Sequence, residues 1–338
     1  MKAKQVLAVL AACLILIATG LFGAAGARQE QEAAENISTV LVDNVMENLS
    51  QAPGDRIALP EHDFVALIDI VGTIQESTGS NAAGQYDHDL YMDLVNRLME
   101  STANKGIMLY VDSPGGTVYE SDEFYLKLME YKQTTGRPVY AYFAGTAASG
   151  AYYISMAADY IYCNRNCTTG SIGVIVSFYD YHALLEKVGV SEVNITSGAN
   201  KAMGSGAIEM TDEQEEIFQN LVNEAYDQFV GIVAAGRNMK EKRVRKLADG
   251  RIYTASQALE NGLVDEILGE EDAFEAISER FGDPDIDYYT PEAPYRPVWT
   301  DFLGIASRFL QEETVSEADL VRSVLDNRRE GELMYYAK

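Results

Sequence analysis

Two kinds of hydrophobic pattern alternate along this chain. Short, continuous apolar runs rich in β-branched residues read as buried strands. They are Asp63-Phe-Val-Ala-Leu-Ile-Asp-Ile-Val71, Gly106-Ile-Met-Leu-Tyr-Val-Asp112, Pro138-Val-Tyr-Ala-Tyr-Phe143 and Tyr160-Ile-Tyr-Cys163. Between and after them, segments of helical periodicity predict helices over about 88–103, 117–134, 148–158, 211–236 and 240–248. Strand and helix alternating through short connections imply βαβ units and a mainly parallel sheet, hence an α/β fold. Functional groups in such sheets gather at the carboxyl ends of strands. Gly115-Gly116 and Ser149 both fall at those ends.

The two ends of the chain break this pattern. Lys2 and Lys4 precede an uncharged stretch, Gln5 to Ala27, that stops at Arg28. About 20 apolar residues cross a bilayer, and flanking lysines stay on the cytoplasmic side. Residues 1–27 are therefore expected to be a single-pass anchor at the cell membrane, with everything after Arg28 extracytoplasmic. Ala25-Gly26-Ala27 also has the small residues of a processing site, so cleavage stays open. Leu10-Ala11-Ala12-Cys13 has the look of a lipoprotein box, but the apolar run before Cys13 is too short for one. Residues 28–60 read as a polar stalk and 61–282 as the main domain. From 283 the chain turns Pro-rich and acidic, and 283–338 is expected to be a linker, an amphipathic helix and a tail. That tail, Met334-Tyr-Tyr-Ala-Lys338, is apolar enough to reach the protein's own groove as a self-substrate.

Composition is ordinary for a folded protein, at 47% hydrophobic over 338 residues, but charge is not. The 52 acidic and 26 basic residues leave a formal net charge of −26. Such a surface repels phosphates, which argues against nucleic acid and against adsorption to anionic headgroups.

The chemistry rests on few residues. Ser149 sits between Ala148 and Gly150 at the start of a predicted helix, where a serine most often only caps. As a nucleophile it would need a base. The three histidines, His62, His88 and His182, all lack a glycine-flanked turn. Lys201, in Ser197-Gly-Ala-Asn-Lys-Ala-Met-Gly-Ser-Gly206, is the best placed alternative. A lysine serves as general base once its surroundings lower its pKa from about 10.4, so activity is expected to rise toward alkaline pH. The Asp112-Ser-Pro-Gly-Gly116 strand end brings backbone N–H groups within reach of a ligand, which suits an oxyanion hole. Taken alone it reads as a tight turn. Ile172, Val174, Ile175, Val176 and Phe178 are either core or the lining of a groove. Cys163 and Cys167 are either bridged or free, and without nearby histidines they make no zinc site. No metal and no cofactor are expected.

Six segments taken in order, FVALIDIVGTI, LYVDSPGG, AYFAGTAASGAYYISMAAD, GSIGVIV, ITSGANKAM and GRIYTASQALENGLVDEI, resemble signal peptide peptidase A, a membrane-anchored serine–lysine peptidase. The resemblance covers about residues 63–282. It implies a Clp-protease/crotonase-type superhelix, Ser149 as nucleophile, Lys201 as general base, and the N–H groups of Gly116 and Gly150 as the oxyanion hole. It further implies a self-associating ring whose sites pair the serine of one protomer with the lysine of the next. The implied substrates are hydrophobic remnant signal peptides at the membrane. Three rivals remain: a stomatin-type partner-specific membrane protease, an acyl-CoA enzyme of the crotonase type, and a catalytically silent ring-forming scaffold.

Overall fold

The structure is a computed structural model and describes residues 57–76, 85–291 and, for the backbone alone, 334–336. The expected anchor, most of the stalk, and the linker and helix between 292 and 333 lie outside the described residues. The chain divides into two compact units. One, Ala58–Ala293 with Val315–Lys338, carries the sheet; the other, Met1–Ile57 with Pro294–Thr314, is almost wholly outside the described residues.

The sheet is built on three long parallel strands, β1 (Phe64–Ile74), β2 (Asn104–Thr117) and β3 (Val139–Ala148). Helices α1 (His88–Glu100) and α2 (Val118–Thr135) supply the crossovers and pack on each other. Consecutive residues of β2, Ile107, Met108 and Leu109, are all fully buried, so both faces of the sheet are covered. One face, carrying Val65, Met108, Tyr140 and Tyr142, packs on Ala273 and Ile277 of α8 (Glu270–Phe281).

Past β3 the chain forms α3 (Gly150–Ser155), β4 (Tyr160–Cys163) and β5 (Thr168–Gly170). The stretch 171–210 holds little regular structure beyond α4 (His182–Lys187). The long α5 (Asp212–Gly236) and short α6 (Glu241–Leu247) follow. Then come β6 (Ile252–Thr254), α7 (Ala255–Asn261) and β7 (Glu266–Ile267). Strand order is β6-β5-β3-β2-β1-β8, with β4 pairing both β3 and β7. The buried Arg237 just after α5 makes a two-pronged ion pair with Asp265, at 2.6 and 2.9 Å, fixing that helix end to the β7 side.

Two sequence expectations change. The sheet does not stop at Gly282: β8 (Asp287–Tyr289) pairs in parallel with β1, and the Tyr289 ring meets Phe64 edge-on at 5.6 Å. Acidic, Pro-rich neighbours masked a three-residue strand whose tyrosines supply the needed apolar area. Nor is Ser113-Pro-Gly-Gly116 a tight turn, because β2 runs straight through it, with Thr73 opposite Gly115 and Ile74 opposite Gly116. Glycine is required at 116, where a Cβ would stand 1.8 Å from the Ile74 carbonyl oxygen.

Candidate active site

The carboxyl ends of β2 and β3 part to form a fork. The strands pair in register through Val111 and Phe143, and then Ser113 meets Ala147. Two extra residues of β3 are thus bulged out. The Asp112 carboxylate fills the bulge, accepting from the Thr146 N–H at 2.8 Å, and a Cβ at Gly145 would come within 2.8 Å of the same oxygen. Beyond that point β3 continues alongside β5, Ala148 opposite Gly170, while β2 stays with β1.

Ser149 ends the β3 prong. Its backbone is held at φ 57 and ψ −119, a conformation few residues with a Cβ adopt. Two hydrogen bonds impose it: Ser149 N–H donates to the Gly170 carbonyl at 2.8 Å, and Tyr153 N–H donates to the Ser149 carbonyl at 2.9 Å. Gly170 (φ +88) permits the first by letting β5 close under the Tyr253 ring, 2.6 Å from where a Cβ would be. The residue is only 1% exposed, yet its hydroxyl does not cap α3 and makes no other hydrogen bond among the described residues. The capping role is therefore absent. Gly150, the first residue of α3, keeps a backbone N–H that the helix cannot satisfy. On the other prong, Gly115 N–H is taken by Ser113 Oγ at 3.1 Å.

The three histidines are engaged elsewhere. His62 meets Asp287 at 3.0 Å, His88 lies between Tyr86 and Glu123 at 2.8 Å from each, and His182 stands 3.7 Å from Glu186. Lys201 lies in an exposed turn, and no hydrogen bond or ion pair joins it to Ser149 or to any carboxylate among the described residues. The turn itself is fixed. Gln214 of α5, nine-tenths buried, closes a reciprocal capping box with Thr211, and its side-chain amide also donates to the Ala199 carbonyl (3.5 Å) and to Asn200 Oδ1 (3.3 Å). The Thr211-x-x-Gln214 spacing shows the box in the sequence, but its grip on the Lys201 turn needed the fold.

Val174, Ile175, Val176 and Phe178 line a cleft of about 300 Å³ with Phe218 and Val222 of α5, whereas Ile172 is core. Cys163 and Cys167 are both free and buried. Burial pushes their thiols up to about 11 and about 12, and in Cys167 the neighbouring Cys163 adds to it. Among the described residues no group of three or more His, Cys, Asp or Glu side chains is placed to hold a metal ion.

Comparison with known proteins follows these features. Residues 66–175, the segment that builds the fork and Ser149, match the Clp protease family model, in keeping with the expected Clp-protease-like α/β fold. Residues 131–282 match peptidase family S49. A protein of Enterococcus faecium named for signal peptide peptidase SppA is 43% identical over 215 residues, covering 63% of this chain and 62% of its own length. A Synechocystis protein named as a protease is 42% identical over 200 residues, covering 59% of this chain and 72% of its own. Protease 4 of Haemophilus influenzae is 35% identical over 227 residues, covering 65% of this chain but 35% of its own. The chain thus spans roughly three fifths of the Enterococcus protein and a third of the Haemophilus one. With its fork, its strained serine and these relatives, the chain belongs to peptidase family S49, the signal peptide peptidase A family.

Proposed function

We propose that this protein is a serine endopeptidase in which Ser149 is the nucleophile and Lys201 the general base. The observation that carries this reading is the strained, buried Ser149 with an unengaged hydroxyl at the mouth of the fork. Strain of this kind persists where surrounding structure imposes it, and it collects at active sites. In the reaction, the Lys201 amine takes the Ser149 proton as Oγ attacks a peptide carbonyl. The N–H groups of Gly116 and Gly150 receive the oxyanion, and the lysine ammonium then protonates the leaving amine. Water hydrolyses the acyl-enzyme by the same route in reverse order.

The base comes from a second protomer in this reading. Two observations favour that arrangement: Lys201 does not meet Ser149 within one chain, and its segment is unusually apolar for a surface. Leu184, Val188, Val190, Val193 and Ile195 are 52–98% exposed there, a concentration that marks an interaction surface. Copies of the chain self-associate into a ring through this face, so each site is completed by its neighbour. Substrates are hydrophobic remnant signal peptides, delivered at the membrane to which residues 1–27 anchor the chain. The name of the Enterococcus relative and the apolar cleft beside the 174–178 segment support that substrate class. Among the described residues no helix is long and apolar enough to cross a membrane; the expected anchor lies outside them.

The test is complementation on a fluorogenic leader-like peptide. Ser149→Ala and Lys201→Ala should each lose nearly all activity, and an equimolar mixture refolded together should regain part of it. Near-normal turnover by Lys201→Ala would remove the lysine from the mechanism. Two dead variants that do not complement would leave the chemistry standing and put both residues in one chain.

A further inference from the structure

Both prongs of the fork end in backbone that the rest of the sheet does not pair. Past Ser113 the edge of β2 that had faced β3 is free of it, because β3 has turned away toward β5. A third segment occupies that edge. β9 (Met334–Tyr336) pairs with β2 in antiparallel fashion, Thr117 opposite Met334, Gly116 opposite Tyr335 and Gly115 opposite Tyr336. It also runs beside α2 and beside α3, the helix that Ser149 opens.

The direction of β9 matters. Residue 334 lies at the open end, opposite Thr117, and residue 336 lies deeper, toward Ser113, where the two prongs join. An extended peptide thus enters with its carboxyl side leading into the fork, along the glycine whose N–H is assigned to the oxyanion. Main-chain pairing of this kind supplies affinity without demanding a particular sequence, as in other cases of strand addition.

We propose that the β2 edge at Gly115–Thr117 is a strand-addition site for an extended peptide, and that the chain's own C-terminus, Met334–Tyr336, is its resident ligand. The tail holds the fork closed, and an incoming peptide must displace it. This inference rests on the peptidase reading for its consequence in turnover but not for its consequence in binding. A tethered strand competes at high effective concentration, so removing it lowers the apparent KM and leaves kcat unchanged.

Three forms of the full-length protein separate the outcomes: the unaltered chain, a chain ending at Leu333, and Tyr335→Pro. Proline removes an N–H from the tail strand and disfavours its pairing while leaving the fork untouched. A fluorescent peptide of sequence LMYYAK is titrated against each form carrying Ser149→Ala, so that nothing is cleaved. The truncated and Tyr335→Pro forms are expected to bind it about tenfold more tightly than the unaltered tail allows. Equal binding by all three, or binding by none, overturns the proposal. With Ser149 intact, the two altered forms should show a KM about tenfold lower at unchanged kcat. Ser149-dependent hydrolysis with one KM for all three forms would sink the tail and spare the peptidase. Tail-dependent binding without Ser149-dependent hydrolysis would do the reverse.

Discussion

Ser149 concentrates the cost of the site in one residue. Its φ of 57 and ψ of −119 suit glycine, and holding a side chain there costs about 1–3 kcal/mol. Ser149→Gly should therefore unfold at a higher temperature than Ser149→Ala, by about 1–3 kcal/mol in stability, although both lack the hydroxyl. Matching melting temperatures would mean that the serine turn is unstrained. Cys163 and Cys167 behave in the opposite way. Buried thiols raised to about 11 and about 12 hold almost no thiolate at neutral pH. In the folded protein both should alkylate roughly a hundredfold more slowly than in denaturant, followed site by site by peptide mass spectrometry. Rapid labelling of either in the native state would contradict its burial.

At the level of elements, the N-terminus of α5 connects stability to the site. Gln214 both closes the capping box and holds the Ala199–Asn200 backbone beside Lys201. The two roles separate by substitution. Gln214→Ala loses both, and should cost about 1 kcal/mol of stability. Gln214→Glu keeps an acceptor for the Thr211 N–H, so thermal stability should hold, but it has no amide to hold the turn. The proposed peptidase should then lose about tenfold in kcat, equivalent to about 1.4 kcal/mol of transition-state stabilisation. If Gln214→Glu is as active as wild type, Gln214 does not position the lysine.

For the whole molecule, apolar surface and charge oppose each other. A formal net charge of −26 makes copies of the chain repel, while the exposed apolar side chains between 184 and 195 favour the proposed assembly. Salt screens the first and spares the second, since the screening length falls from about 10 Å at 0.1 M to about 3 Å at 1 M. Sedimentation at fixed protein concentration should show larger assemblies as salt rises, with activity per chain increasing in parallel. Assemblies that dissociate with salt would point to ion pairs, not apolar contact, as the joint.

The sequence by itself determined the alternation of strands and helices, and the parallel sheet that follows from it. Each buried strand is a local apolar run, and short connections leave few topologies. It also singled out Ser149, Lys201 and the glycine pair, because histidine is scarce and the motifs stand in a recognisable order. Other features depended on residues far apart in the chain. Gly115-Gly116 looked like a turn, since two glycines usually make one, and only the approach of Ile74 shows why a strand needs glycine there. The bulge filled by Asp112, the Ser149 dihedral set by Gly170, and the pairing of Met334–Tyr336 with Gly115–Thr117 all join segments that local pattern cannot relate. Tertiary structure alone decided those, because a hydrogen-bond partner 20 or 200 residues away leaves no mark on the periodicity of either strand.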